Sequence, residues 1–144
     1  MKKVYFACSI TGGRDYAHVY QDIVDMIKAE GMEVLSEAFA NQSVKAKDGV
    51  SMRAGMSPSE VWSWDLNWLT TADGVVAEVS NPSLGVGYEI AKAHQLDKPV
   101  LALYHKRPDH KLSSMIVGSP NVTVCEYDII TDTEPAIAKF LAEI

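Results

Sequence analysis

The residue types best suited to chemistry lie in one stretch, Asn81 to Glu89, where Pro, Ser and Gly join an apolar segment to a helical pattern that carries a carboxylate. Ser83 can cap the predicted helix, amides near Gly85 can approach an anion, and a helix N-terminus carries roughly half a positive charge. Gly85 and Glu89 share one helix face, so the glycine leaves space beside the carboxylate. The stretch predicts a phosphate site next to a reactive carboxylate, although capping and packing alone use the same residue types.

Two further side chains could cooperate with Glu89. Asp65 is flanked by tryptophans in a helical pattern, and burial there would favour its protonated form, as a general acid requires. Glu89, close to a helix N-terminus, would remain ionised. Tyr5 lies within an apolar strand, where its hydroxyl needs a partner that could be Glu89. A solvated Asp65 and a Tyr5 that only packs in the core are the competing interpretations.

Paired carboxylates of this kind suggest a reaction class. When two carboxyl groups lie roughly 5 Å apart, one can attack an anomeric carbon while the other protonates the leaving group and then activates water. The same logic suits an N-glycosidic bond. The remaining Lys, Arg, Ser and His residues form no competing catalytic arrangement.

The composition limits the class of protein. The chain has 144 residues, of which 47% are hydrophobic and 22% charged, which predicts one globular domain spanning residues 1–144. A net charge of −6 argues against a nucleic-acid polymer as partner, because such surfaces need clustered cations. The sequence has no apolar run of membrane-spanning length and no signal-peptide pattern, so we expect a cytoplasmic location and no membrane partner.

Cysteine and histidine usage predicts neither a disulfide nor a metal site. Cys8 and Cys125 are far apart and lie in apolar runs, which is typical of buried free thiols. The four histidines show no metal-ligand spacing with each other or with cysteine. We therefore expect no metal.

Apolar runs and helical spacings alternate along the chain. Strands are predicted near residues 3–9, 34–35, 73–79, 99–104 and 122–127, and helices near 16–27, 57–69, 83–93, 112–117 and 134–141. Residues 40–56 are weakly periodic and longer than most connections, which is typical of a binding loop or lid.

This alternation predicts an α/β fold with a doubly wound, parallel, five-stranded sheet and helices on both faces. In a flavodoxin-like order, 2-1-3-4-5, the first and third strands are neighbours at the topological switch point. Ligands bind at the carboxyl ends of strands near that point. The turn after Ser9 and the turn before Ser83 should therefore face one pocket.

Several motifs together resemble the nucleoside 2-deoxyribosyltransferase superfamily along nearly the whole chain. They are Tyr5-Phe6, Ser9-Ile10, Gly12-Gly13-Arg14, Asp65-Leu66, Trp68-Leu69, Ala72-Asp73 through Val79, and Pro82 to Glu89. The segment Leu112 to Ile116 with Gly118 is most similar to the subunit-interface segment of the 2′-deoxynucleoside 5′-phosphate N-hydrolases within it.

The resemblance implies a role for each matching residue. Glu89 would be the nucleophile at C1′ of the deoxyribose, Asp65 the acid and base, and Tyr5 the hydroxyl that orients Glu89. The 5′-phosphate would be held by four residues, namely Ser9, Ser83, Gly85 and, from a neighbouring subunit, Ser113. The base and sugar would meet Cys8, Ile10, Thr11 and Gly12. The resemblance thus implies a homodimeric hydrolase without a cofactor, which would release free base and 2-deoxyribose 5-phosphate.

Three positions depart from the family pattern. Cys8 stands where relatives have Gly, Thr11 where arginine is common, and Ala38 where histidine is found. The missing arginine removes a strong phosphate contact, which Arg14 or a lysine of the long loop could replace. Base preference stays open. So do two alternatives to hydrolysis: base exchange on unphosphorylated deoxynucleosides, and nucleotide binding without turnover.

Overall fold

The sheet of this protein is formed by five strands: β1 (Lys3–Ala7), β2 (Glu33–Val34), β3 (Gly74–Glu78), β4 (Val100–His105) and β5 (Val122–Tyr127). The computed structural model describes residues 1–40 and 55–144. All strand pairs are parallel, and the order is β2-β1-β3-β4-β5. The predicted fold class and strand order are confirmed.

Helices cover both faces of the sheet. They are α1 (Ala17–Ala29), α2 (Pro58–Thr71), α3 (Leu84–Gln95), α4 (Ser114–Val117) and α5 (Glu134–Glu143). Alternate residues of β1 face opposite layers, as strand geometry requires. Phe6 packs in the core layer that contains Tyr20 and Leu141, whereas Tyr5 packs in the layer that contains Leu69 and Ile90. The Tyr5 side of the sheet therefore faces α2 and α3.

The helix α2 begins where its capping residues predict. Ser57 accepts a hydrogen bond from the Glu60 backbone N–H at 3.2 Å, and the Glu60 carboxylate accepts one from the Ser57 N–H at 2.6 Å. Pro58 occupies the first helical turn, where its missing N–H costs nothing. This reciprocal capping box fixes the start of the helix that carries Asp65.

Some predicted boundaries differ from the structure. The strand β1 ends at Ala7, where its pairing with β3 also ends, so residues 8 and 9 belong to the following turn. The helix α4 covers only Ser114–Val117, because Ser113 acts as its N-cap. Of the predicted loop 40–56, residues 41–54 lie outside the described residues.

Among the helices of the described segments, none combines the length and apolar character needed to cross a bilayer. Within residues 1–40 and 55–144, no group of three His, Cys, Asp or Glu side chains could hold a metal ion.

Candidate active site

The candidate site lies at the switch point between β1 and β3, which are direct neighbours with Ala7 opposite Ala77. The turn after β1 contains Ser9, and the turn after β3 leads to Ser83. The carboxyl ends of both strands thus bring the two turns to the same edge of the sheet, as a doubly wound sheet requires.

Glu89 and Tyr5 are in direct contact. The Tyr5 hydroxyl donates a hydrogen bond to Glu89 Oε1 at 2.8 Å, which joins β1 to α3. Tyr5 is only 3% exposed, so its ring is fixed by the core, while Glu89 is half-buried. A rigid donor holds the plane of the carboxylate, and this is the contact that the sequence suggested for Tyr5.

Asp65 and Glu89 line one cavity between α2 and α3. The cavity has a volume of about 220 Å³, and its wall includes Gly85, which contributes no side chain to fill the space. Asp65 is half-buried. The Trp62 indole N–H donates to the Tyr88 hydroxyl at 3.0 Å and links the two helices beside the carboxylates. The cavity brings together the two carboxylates for which the sequence predicted the roles of acid and nucleophile.

The start of α3 has the features of an anion site. Ser83 caps the helix, its Oγ accepting from the Val86 N–H at 3.3 Å. A side chain at Gly85 would find only Ser83 Oγ within 4 Å, at 3.8 Å, so the approach to these amides is open. Unpaired N–H groups and the helix dipole favour an anion there.

Ser9 lies within the first turn, the one that follows β1. Its side chain is fully buried, and its Oγ accepts a hydrogen bond from the Asn81 carboxamide at 3.1 Å. Arg14, considered as a replacement phosphate ligand, donates from Nη1 to the Ser9 carbonyl at 3.1 Å and lies over the Tyr20 ring. The hydrogen bond from Arg14 stabilises the turn that follows β1 on the side that faces α1.

The four residues expected around the base and sugar differ in exposure. Cys8 is buried, with Sγ 3.8 Å from the Phe39 carbonyl oxygen, and burial raises the pKa of its thiol to about 12. Ile10 is half-buried, whereas Thr11 and Gly12 are exposed. Cys8 therefore places a neutral, buried thiol at the start of the turn that follows β1.

Ser113 is separate from this cavity. It is exposed, caps α4, and accepts from the Met115 N–H at 3.3 Å. It does not line the space shared by Asp65 and Glu89. Its phosphate role, contributed from a neighbouring subunit, stays a prediction.

The sequence interpretation missed Glu78, a fully buried carboxylate at the end of β3. Its Oε1 accepts from the Ser80 N–H at 3.2 Å, from the Ser80 hydroxyl, and from the Tyr127 hydroxyl at 3.1 Å. Burial outweighs these bonds and raises the pKa of Glu78 to about 7. The network anchors the turn that leads to Ser83, and the signal for it was an acid inside an otherwise apolar strand.

Replacing Tyr5 with Phe tests the contact with Glu89. Because the ring volume is kept, we expect the fold to survive while kcat falls about 10- to 100-fold, as for loss of a hydrogen bond to a charged group. Tyr104→Phe is the matched control, since Tyr104 is equally buried at 4% and its hydroxyl bonds to His110 instead. Steady-state kinetics compares the decrease in kcat of the two variants. Equal decreases would show that Tyr5 contributes only to packing of the core.

These features define a class of protein: a five-stranded parallel α/β fold with a tyrosine-bonded glutamate and an aspartate in one cavity at the switch point. The family model described as nucleoside 2-deoxyribosyltransferase matches residues 4–129. The chain therefore belongs to the nucleoside 2-deoxyribosyltransferase family.

Individual relatives cover most of the chain. A protein of Syntrophotalea carbinolica, named as a candidate 2′-deoxynucleoside 5′-phosphate N-hydrolase 1, is 37% identical over 141 residues, covering 98% of this chain and 95% of its own length. A Nematostella vectensis protein with the same name is 40% identical over 120 residues, with coverages of 83% and 79%. The 5-hydroxymethyl-dUMP N-hydrolase of Rattus norvegicus is 41% identical over 116 residues, with coverages of 81% and 69%.

Solved structures support the fold. A CMP N-glycosidase of Clostridium botulinum superimposes with a TM-score of 0.68 at 18% identity, covering 96% of this chain and 99% of that one. A 2-deoxyribosyltransferase of Bacillus psychrosaccharolyticus gives a TM-score of 0.61 at 16% identity, with coverages of 92% and 90%. At these identities the likeness establishes the shared architecture alone.

Proposed function

We propose that this protein hydrolyses the N-glycosidic bond of 2′-deoxynucleoside 5′-monophosphates and releases the free base and 2-deoxyribose 5-phosphate. The observation that carries the proposal is the cavity in which Asp65 lies opposite a Glu89 held by Tyr5 at 2.8 Å. The capped start of α3 beside it offers amides to a phosphate. The names of the relatives that cover most of the chain agree with this substrate class.

The first step forms a covalent bond to the enzyme. A Glu89 carboxylate oxygen attacks C1′ of the deoxyribose while the bond from C1′ to the base nitrogen breaks, and its electron pair leaves with the base. Asp65 donates its proton to the departing base, which lowers the barrier to departure. Tyr5 holds Glu89 through the hydrogen bond to Oε1.

The second step returns the enzyme to its starting state. Asp65, now ionised, accepts a proton from water, and the water oxygen attacks C1′. The bond to Glu89 breaks, and its electron pair returns to the carboxylate. Two displacements at C1′ together retain the configuration at that carbon.

A product assay tests the proposal. Incubation with the four deoxynucleoside monophosphates and with 5-substituted dUMP should release base and 2-deoxyribose 5-phosphate in equal amounts, measured by chromatography. Absence of release from every substrate would refute hydrolysis. Adding a second base distinguishes the alternative of deoxyribosyl transfer, since a transferase would form the exchanged nucleoside from an unphosphorylated donor.

We further propose that the active unit is a homodimer in which Ser113 completes the partner's phosphate site. Large apolar side chains near α3 and α4 are exposed: Leu84 by 97%, Met115 by 82% and Val117 by 55%. Such side chains in one region are typical of a covered interface. The cytoplasmic location remains a prediction from the sequence.

Replacing Ser113 with Ala tests this assignment. Losing one hydrogen bond to a charged phosphate should lower kcat/KM for a deoxynucleoside monophosphate about 10- to 100-fold while sparing the matching unphosphorylated nucleoside. Ser114→Ala, at the neighbouring exposed serine, controls for changes in α4. Analytical ultracentrifugation checks that the dimer persists. Equal losses on both substrates would argue against a phosphate contact.

A further inference from the structure

The two turns at the switch point interlock closely. A Cβ built on Gly12 would lie 3.1 Å from the Pro82 carbonyl oxygen and 3.1 Å from Ser9 Oγ. A Cβ on Gly13 would lie 2.7 Å from Asn81 Nδ2, and the φ of Gly13 is 126°, in the region that favours glycine. The glycines thus leave the space that the Asn81 carboxamide fills.

Asn81 joins the turns through both hydrogens of its amide group. Its Nδ2 donates to Ser9 Oγ at 3.1 Å and to the Gly12 carbonyl oxygen at 3.2 Å. A carbonyl only accepts, so the atom that faces Gly12 must be the nitrogen, and the orientation of the amide is settled. Ser9 Oγ is consequently the acceptor in its bond to Asn81.

The turn that carries Asn81 is itself anchored from below. Ser80, the preceding residue, is fully buried and donates to Glu78, and it accepts from the His105 N–H at 2.7 Å. Arg107 donates to the Ser80 carbonyl oxygen. Asn81 therefore extends from a rigid base on β3 and β4, and the first turn is the part that it holds in place.

We propose that Asn81 is a positioning residue for the 5′-phosphate. Its carboxamide clamps the Ser9–Gly13 turn against the start of α3. The two segments that would contact the phosphate thus keep a fixed distance from each other. The clamp rests on the proposed function for its substrate. It acts through Ser9 and Gly12, and the chemistry at C1′ does not involve it. Loss of the clamp should weaken phosphate binding and leave the carboxylate pair intact.

The test compares Asn81→Ala with the parent enzyme on a deoxynucleoside monophosphate and on the same nucleoside without phosphate. We expect KM for the monophosphate to rise about tenfold, as for the loss of weak hydrogen bonds that position a ligand, with kcat changed less than twofold. The unphosphorylated nucleoside should show no matching change. Asn121→Ala is the control. The carboxamide of Asn121 also donates to a backbone carbonyl, that of Lys98 at 2.9 Å, but Asn121 lies directly before β5, at the amino ends of the strands.

A double-mutant cycle with Ser9→Ala shows whether the effect passes through Ser9. If it does, Asn81→Ala raises KM for the monophosphate by a smaller factor in the Ser9→Ala background than in the parent. Asn81→Leu, which has a branched side chain of similar shape, loses both donors and adds no charge beside the phosphate, provides the same comparison if the alanine variant unfolds. An unchanged ratio of KM values for the two substrates in both Asn81 variants would overturn the inference.

Failure of the clamp and failure of the proposed function give different results. If the parent releases no base, the proposed function fails, and binding of a deoxynucleoside monophosphate is then followed by isothermal titration calorimetry. Weaker binding to the Asn81 variants than to Asn121→Ala would still support the clamp, whereas equal binding, or none to any of them, would overturn it.

Discussion

Glu89→Gln should reduce kcat on a deoxynucleoside monophosphate by on the order of 1,000-fold or more, because an amide cannot attack C1′ as a carboxylate does. The amide oxygen can still accept the hydrogen bond that Tyr5 donates at 2.8 Å in the parent, so the fold should survive. Substrate binding should change little, since the proposed phosphate contacts lie at the start of α3. Single-turnover kinetics and thermal unfolding measure these quantities.

The matched control is Glu126→Gln, at a glutamate that is exposed on β5 and does not line the cavity. It should retain parental turnover. Full activity in Glu89→Gln would refute the nucleophile assignment, and a protein that binds nucleotide without turnover would show no difference between the two variants.

Asp65→Asn should reduce kcat by about 100- to 10,000-fold, the usual contribution of a general acid and base. Asparagine can donate a hydrogen bond but cannot transfer a proton to the base. The rate of the first step should therefore fall less when the departing nucleobase carries an electron-withdrawing 5-substituent, because such a nucleobase can leave without full protonation. Pre-steady-state rates for dUMP and 5-fluoro-dUMP compare the two cases.

Asp22→Asn, at an exposed position of α1, is the control for loss of one carboxylate and should behave as the parent. Equal losses for dUMP and 5-fluoro-dUMP in Asp65→Asn would contradict a role in protonating the base.

Much of the fold follows from local patterns. The strands β1, β3 and β4 are mostly apolar, as buried parallel strands require, and their alternation with helices predicts a parallel sheet. The order β2-β1-β3-β4-β5 agrees with the flavodoxin-like order expected for such a sheet. The ends of elements are less predictable. The sequence places Ser9 at the end of an apolar strand, yet Ala7 is the last β1 residue that pairs with β3, because a strand ends where its pairing ends and local composition does not encode that point.

The candidate site was predictable only in part. Ser83 as a helix cap and Glu89 one turn beyond Gly85 follow from spacing, and the Tyr5 contact follows from strand adjacency. Contacts between two turns do not follow from sequence. Neither the carboxamide of Asn81 on Ser9 nor the burial of Ser9 could be derived from local patterns, since both depend on how the turns pack.

The departures from the family pattern acquire a physical meaning in the structure. Cys8 keeps a neutral, buried thiol, and Thr11 and Ala38 are exposed. None of these three side chains supplies a cation at the first turn. Arg14 and the loop lysines Lys45 and Lys47 stay the candidates for that cation, and the two lysines lie outside the described residues.

The proposed mechanism requires a covalent bond between Glu89 and the deoxyribose, and that bond can be trapped. Asp65→Asn should react with 5-fluoro-dUMP in a burst of 5-fluorouracil release equal to the enzyme concentration. Departure of this activated nucleobase needs little help from a general acid, whereas attack by water still needs Asp65 as the general base. Mass spectrometry of the acid-quenched, digested protein should then find a 2-deoxyribose 5-phosphate ester on the peptide that contains Glu89. Base release without a burst, with Glu89 unmodified, would show that Glu89 is not the nucleophile.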